Sequence, residues 1–286
     1  MEVYPSAAGF SSGRLERVTT HLQDRYITPG KITGAQVMIS RRGEPAYFRS
    51  FGQMDAERAK AVSDDTIFRI YSMTKPITSV ALMMLFEEGH FQLSDPVSRF
   101  IPAWADHEVW VEGSGEDMVT RPVVNRMTMK DVLCHTAGLT YGGLLWSEDL
   151  HPVDQVYAEL EINRGPGETI ESFIEKLARV PLRYEPGTRW MYSLATDVCG
   201  CLVEIISGQP FPDFLRDRLL GPLGMVDTGF SLPEDQADRF AANYERRRDK
   251  SLRLIDDPLT SHYLKEPSFP SGGGGLVSTT ADYAKF

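Results

Sequence analysis

Ser72-Met73-Thr74-Lys75 places a hydroxyl and an amine one helical turn apart. A neutral lysine at that spacing can take the serine's proton, and the alkoxide so formed attacks an ester or amide carbonyl. The tetrapeptide alone is a common chance match, and the plain reading of Ser72 is a helix N-cap. The first turn argues against a pure cap. A capping box wants Glu or Gln three residues after the serine, where it answers the positive end of the helix. Lys75 stands there instead, against the macrodipole. His135 is a further candidate base, but it follows an expected helix over Met129–Cys134. The ordinary role of a histidine there is to hydrogen-bond the last carbonyls, and that role is expected of it.

Other chemistry-bearing patterns carry less. Gly9-Phe10-Ser11-Ser12-Gly13 matches a nucleophile elbow, which needs a buried strand on its N-terminal side. Met1–Ala8 is no such strand, so Ser11 or Ser12 is expected to cap a helix. Cys199-Gly200-Cys201 has no neighbouring His or Cys cluster and is poor evidence for a metal. The Ser271–Leu276 stretch, with four consecutive glycines, lets backbone approach something closely, yet meets neither dinucleotide nor P-loop spacing.

The elements that must position these groups follow from pattern. Ile67–Tyr71 is β-branched and aromatic and reads as extended. Pro76 fixes a helix start within a turn of Ser72, because proline is tolerated only in a helix's first turn. From Ile77 to Phe86 that helix is apolar almost all round, the mark of a buried helix, and Gly89 closes it. Upstream, Arg14–Tyr26 has helical spacing, and Gln36–Ser40 with Pro45–Phe51 reads as a β-hairpin. Asp106–Arg126 shows no period and reads as a long surface loop. Thr128 caps Met129–Cys134; helices follow around Val153–Asn163, Thr169–Val180, Ala195–Ser207 and Phe211–Leu220. Ser231–Lys265 is polar and poorly patterned, and Thr279 or Thr280 caps a last helix.

Composition sets the bounds. The chain has 286 residues, 42% hydrophobic and 24% charged, an ordinary globular balance with length for one large domain or two interleaved ones. Its formal net charge of −10 speaks against nucleic acid and anionic membrane as partners. No apolar run reaches the length of a membrane span, and Met1–Pro5 has no signal-peptide character. Three cysteines, two of them on one helix, argue against a disulfide framework and for a cytoplasmic location. No 20–50-residue period recurs. The layout is α+β of the α/β sandwich type: an antiparallel sheet flanked by helices with a large all-helical insertion. Its expected parts are 1–72, a helix and hairpin; 73–265, mainly helical; and 266–286, a return to the first part that is cut short.

Ser72-Met73-Thr74-Lys75, Tyr192-Ser193-Leu194 and Gly272–Gly275, with His135-Thr136-Ala137-Gly138-Leu139 between the first two, resemble the serine β-lactamase-like superfamily. The likeness is greatest to family VIII carboxylesterases and runs over nearly the whole chain from the hairpin onward. The resemblance implies Ser72 as nucleophile, Lys75 as its proton acceptor or as the group that keeps the site basic, and Tyr192 as second general base and acid, with no metal or cofactor. Free tyrosine and lysine ionise near ~10 and ~10.4, so neither alone is a base at neutral pH. Side by side, the ammonium stabilises the phenolate and one shared proton becomes mobile. Without that resemblance Tyr192 reads as a core aromatic beside Trp190 and Met191. The Ser72 backbone N–H would form half of an oxyanion hole. Tyr141, Leu144, Trp146, Leu194, Gly273 and Gly274 are the expected pocket residues.

Two departures shape the expected activity. The tyrosine motif of lactamases and peptidases in this superfamily ends in asparagine; here Leu194 stands there, which favours an ester. The superfamily's third motif lies on a strand beyond Phe286, so part of the sheet and the second oxyanion donor are expected to be missing. The expected function is a serine carboxylesterase acting on small short-acyl esters, its partner a small-molecule ester, with the oligomeric state open. The alternatives are a β-lactamase or D-alanyl-D-alanine carboxypeptidase, an acyltransferase on the same site, or an inactive truncated fragment with a binding surface only.

Overall fold

The computed structural model describes residues 2–143, 150–162 and 167–286. Helix α1 (Ser12–Leu22) precedes strands β1 (Gly34–Arg41), β2 (Glu44–Asp55), β3 (Lys60–Ala61) and β4 (Ile67–Arg69). Then come α2 (Thr74–Glu87), β5 (Glu108–Glu112), β6 (Val119–Pro122), α3 (Met129–Leu133) and α4 (Pro152–Glu159). α5 (Ile170–Ala178), α6 (Ala195–Ser207) and α7 (Phe211–Leu215) follow. Last are β7 (Asn243–Arg246), β8 (Leu252–Asp256), β9 (Val277–Thr279) and α8 (Thr280–Tyr283). The class is α+β, and the paired strands are all antiparallel. The chain divides into two compact units: Met1–Ile70, Leu220–Pro267 and Leu276–Phe286 form one, Tyr71–Leu219 and Ser268–Gly275 the other.

In the first unit β1 and β2 make the expected hairpin, running from Gly34 opposite Gly52 to Arg41 opposite Glu44. Its two-residue turn needs left-handed backbone at both positions, which Arg42 (φ +56°) and Gly43 (φ +79°) supply. Leu15 of α1 packs with Ala46, Tyr47 and Phe51 of β2, and each large side chain buried there contributes about 1.5–3 kcal/mol. β4 pairs with β9, with Ile67 opposite Thr279 and Arg69 opposite Val277. The Arg69 guanidinium is almost wholly buried; it pairs with Asp256 and lies 3.9 Å from the Phe240 ring centre. β7 and β8 form a hairpin inside 231–265, the stretch in which the sequence shows no pattern. Most of its side chains are exposed or half-buried, so alternation is weak there.

The second unit is mainly helical. α2 packs against α6. α2 buries Thr74, Ile77, Thr78, Ala81, Leu82 and Leu85, one stripe at helical spacing. Met83, Met84 and Phe86 are only half-buried and Val80 is exposed, so α2 is covered on one face rather than all round as its composition suggests. α6 buries every residue from Ala195 to Val203 and ends at Gly208, whose φ of +69° suits a left-handed C-cap. Thr128 and Asp131 form a capping box at the start of α3, as expected from sequence. Asp106–Arg126 is not a bare loop. It holds the β5–β6 hairpin, a ribbon with mostly exposed side chains that leaves little hydrophobic alternation to read.

Candidate active site

Between β4 and α2 the chain makes a single tight turn, Tyr71–Met73. Tyr71 enters it with φ of +43°, a left-handed conformation costing of order 1–3 kcal/mol for a residue with a side chain. Ser72 lies in that turn and is exposed. It is not the helix cap: Met73 holds that position and no side chain caps the helix. The Ser72 Oγ lies instead 2.8 Å from the Tyr192 Oη and accepts a hydrogen bond from Lys75 Nζ at 3.3 Å. Lys75 sits in the first turn of α2 and also donates to the Gly273 carbonyl at 2.7 Å. Its ammonium lies 4.6 Å from the Tyr192 ring centre and 5.7 Å from that of Tyr141. Each aromatic face attracts the cation by about 0.5–2 kcal/mol.

The segment just before α6 carries Tyr192, and His135 contacts the residues on either side of it. The His135 carbonyl accepts from the Met191 N–H at 2.8 Å, and its Nδ1 lies 3.2 Å from the Ser193 Oγ. Its Nε2 is 3.4 Å from the Thr196 Oγ1, and its ring centre is 5.0 Å from that of Tyr192. His135 is thus not a cap on the α3 carbonyls. With φ of +57°, its backbone turns the ring toward Tyr192 and the start of α6. Burial, with the charge of Lys75 second, pushes its pKa down to about 4, so the ring is neutral at neutral pH. On the other side Tyr141 stacks on Tyr192 at 5.4 Å with ring planes 2° apart. Burial drives the Tyr141 phenol well above its usual range, so it stays protonated.

The glycine run is explained by what it approaches. A Cβ on Gly272 would lie 2.7 Å from the Thr196 carbonyl oxygen, and one on Gly273 would lie 2.4 Å from Asp197 Oδ2. Only glycine lets this backbone press on the first turn of α6. Asp197, almost wholly buried, accepts from the Gly273 N–H at 3.1 Å and from the Ser271 hydroxyl. The Gly272 carbonyl accepts from Thr78 Oγ1 at 2.8 Å. Sequence reasoning passed over Asp197 and Ser271. The available signal was an acid set in an otherwise apolar, buried helix, which the helix dipole explains as readily.

Of the expected pocket residues, Tyr141 and Gly273 meet the Ser72–Lys75–Tyr192 cluster, and Gly274 lies beside the Tyr71 backbone. Leu194 does not line an open pocket: it is 1% exposed, packed in the core ahead of α6, with its N–H on the Thr140 carbonyl. An apolar side chain at that position is buried by the same force that buries α6. Leu144 and Trp146 lie outside the described residues. Ser11 stands at the N-cap position of α1, remote in sequence from any buried strand. Cys134, Cys199 and Cys201 are free thiols. Among the described residues no group of three or more His, Cys, Asp or Glu side chains is gathered as for a metal ion.

A hydroxyl in contact with both a phenol and an ammonium is an arrangement for moving one proton off an attacking oxygen. Comparison with known proteins bears on it. The Beta-lactamase family model matches residues 16–286. An uncharacterized protein of Mycobacterium tuberculosis is 36% identical over 90% of this chain and 62% of its own length. Esterase EstB of Burkholderia gladioli is 31% identical over 97% of this chain and 70% of its own. Among solved structures, EstCE1, described as a hydrolase with promiscuous acyltransferase activity, superposes with a TM-score of 0.79 at 29% identity. That match covers 95% of this chain and 70% of the other. The chain thus spans about two thirds of the length of the relatives it matches, and 62% of the first.

Proposed function

This chain belongs to the Beta-lactamase family, and from that premise we propose that it is a serine carboxylesterase acting on small esters with short acyl chains. The observation that carries the reading is the Ser72 Oγ held between the Tyr192 Oη at 2.8 Å and Lys75 Nζ at 3.3 Å. With Tyr192 as phenolate beside the Lys75 ammonium, the Ser72 hydroxyl donates its proton to the phenolate as the oxygen attacks the ester carbonyl. The tetrahedral oxyanion takes a hydrogen bond from the Ser72 backbone N–H. Tyr192, now protonated, gives its proton to the leaving alcohol, and an acyl group remains on Ser72. Water then loses a proton to Tyr192 and attacks the acyl-enzyme; as the Ser72–acyl bond breaks, Tyr192 passes that proton to the departing Ser72 oxygen, which frees the acid and restores both groups. Lys75 stays charged throughout and holds the phenolate's electrostatic setting, its place fixed by the Gly273 carbonyl. The net charge of −10 and the three free thiols suit an uncharged small-molecule substrate in a cytoplasmic setting.

Intact mass after exposure to a serine-directed fluorophosphonate tests the reading. One adduct on the parent and none on Ser72→Ala is the expected result; a folded parent that takes no adduct overturns it. On p-nitrophenyl acetate, Ser72→Ala is expected to lose about 10⁴-fold or more in kcat, and Tyr192→Phe about 10²–10⁴-fold.

A second reading, acyl transfer, is favoured by the likeness to EstCE1. The same acyl-enzyme is intercepted by an alcohol in place of water, and chromatography of products with an added alcohol separates the two. Leu194, buried where lactamases and peptidases carry asparagine, argues against lactam or peptide substrates, and nitrocefin turnover is the check.

A further inference from the structure

Asp197 carries a buried carboxyl group for which the proposed chemistry has no use. It lies on the first turn of α6, five residues after Tyr192 and 1% exposed. One oxygen, Oδ1, accepts from the Ser271 hydroxyl and from the Gly273 N–H at 3.1 Å. The other, Oδ2, is buried with no hydrogen-bond partner. A bare carboxylate oxygen in that setting loses its hydration with nothing in return. Protonation of the group lowers the cost of burying its charge. Burial is the largest influence on the group and favours the neutral form; the Ser271 and Gly273 hydrogen bonds and the Lys75 charge oppose it. Among the contacts described, no side chain but Ser271 reaches it.

The contacts run in one line. Asp197 holds the Gly273 N–H, and the Gly273 carbonyl accepts from Lys75 Nζ at 2.7 Å. Beside it, Thr78 on α2 holds the Gly272 carbonyl at 2.8 Å. The glycine run is thus held from both α2 and α6, on the peptide just before the carbonyl that meets the lysine. From this geometry we propose that Asp197 is a positioning residue: it fixes Lys75 against Ser72 and Tyr192 through the Gly272–Gly275 backbone, by its hydrogen bonds and not by its charge. The proposal rests on the Ser72 reading for its effect on rate, but not for its effect on Lys75.

Two variants separate frame from charge. Asp197→Asn keeps the accepting Oδ1 and puts an uncharged amide NH2 at the Oδ2 position; Asp197→Ala removes the acceptor. The measurements are the rate of fluorophosphonate labelling, its dependence on pH, and the NMR signal of ¹³Cε-labelled Lys75, assigned by its loss in Lys75→Arg. In Asp197→Ala labelling is expected to slow on the order of 10²-fold, the effect of about an ångström of misplacement, and the Lys75 signal to move. In Asp197→Asn the rate is expected within about threefold of the parent, with the pH profile and the Lys75 signal unchanged. An Asn variant as slow as the Ala variant overturns the proposal, because charge then does the work. So does an Ala variant with the parent's rate and signal. If Asp197→Ala lacks a cooperative thermal transition, Ser271→Ala decides: a slower rate with a moved Lys75 signal supports the proposal, and no change in either overturns it. A parent that takes no label defeats the Ser72 reading, while the Lys75 signal still decides this one.

Discussion

His135 shows how a side chain outside the reacting set leaves a measurable mark. Its ring is neutral at neutral pH because burial and the nearby Lys75 charge lower its pKa to about 4, against about 6.5 for a free histidine. Between those values the unfolded chain binds more protons than the folded one, so stability falls as pH drops from about 6.5 toward about 4. Part of the ring meets water, which screens some of the effect. His135→Asn removes the titration. Thermal melts from pH 7 to 4.5 are expected to show the parent losing stability faster than the variant; a gap that stays constant with pH counts against this account. Ser72 and Lys75 were legible at this scale because their relation is local, three residues apart across the turn that opens α2. Tyr192 emerged only by resemblance, since nothing in the sequence near it says what it faces. Asp197 stayed hidden because its partners lie 74 and 76 residues away, and a carboxylate at a helix start already has an ordinary explanation.

Among elements, the glycine run is specified by contact with the first turn of α6. Gly272→Ala puts a methyl 2.7 Å from the Thr196 carbonyl oxygen and 3.0 Å from the Thr78 methyl. Backbone oxygen cannot rotate away, so a loss of about 1–3 kcal/mol is expected in denaturant melts. Leu82→Ala, on the buried stripe of α2, is expected to cost about 2–5 kcal/mol. These two losses differ in kind: the first adds atoms to a filled contact and the second opens a cavity. Helix starts were readable from sequence where a capping residue announces them, as at Thr128. The burial of α2 was overstated because Val80, Met83 and Met84 are apolar without being fully covered. β5 and β6 went unseen for the converse reason. A two-stranded ribbon with exposed side chains carries no hydrophobic period.

For the molecule as a whole, the decisive pairings are distant ones. The first unit is assembled from three separate stretches of chain. Within it the Arg69 guanidinium, buried on Phe240 and paired with Asp256, ties two of them together. Arg69→Met leaves Asp256 without that partner, and a loss of about 3–5 kcal/mol is expected in chemical denaturation of the variant. Such closures cannot be read from a local pattern, which is why the α+β class was legible while the partners of each strand were not. The pairing of β4 with β9 also has a temporal side. On a ribosome adding about 5–20 residues per second, Ile67 emerges on the order of 10–40 s before Thr279 has been made. During that interval the backbone N–H and C=O groups of Ile67–Arg69 lack the strand that pairs with them in the folded chain, and β4 stays an open edge.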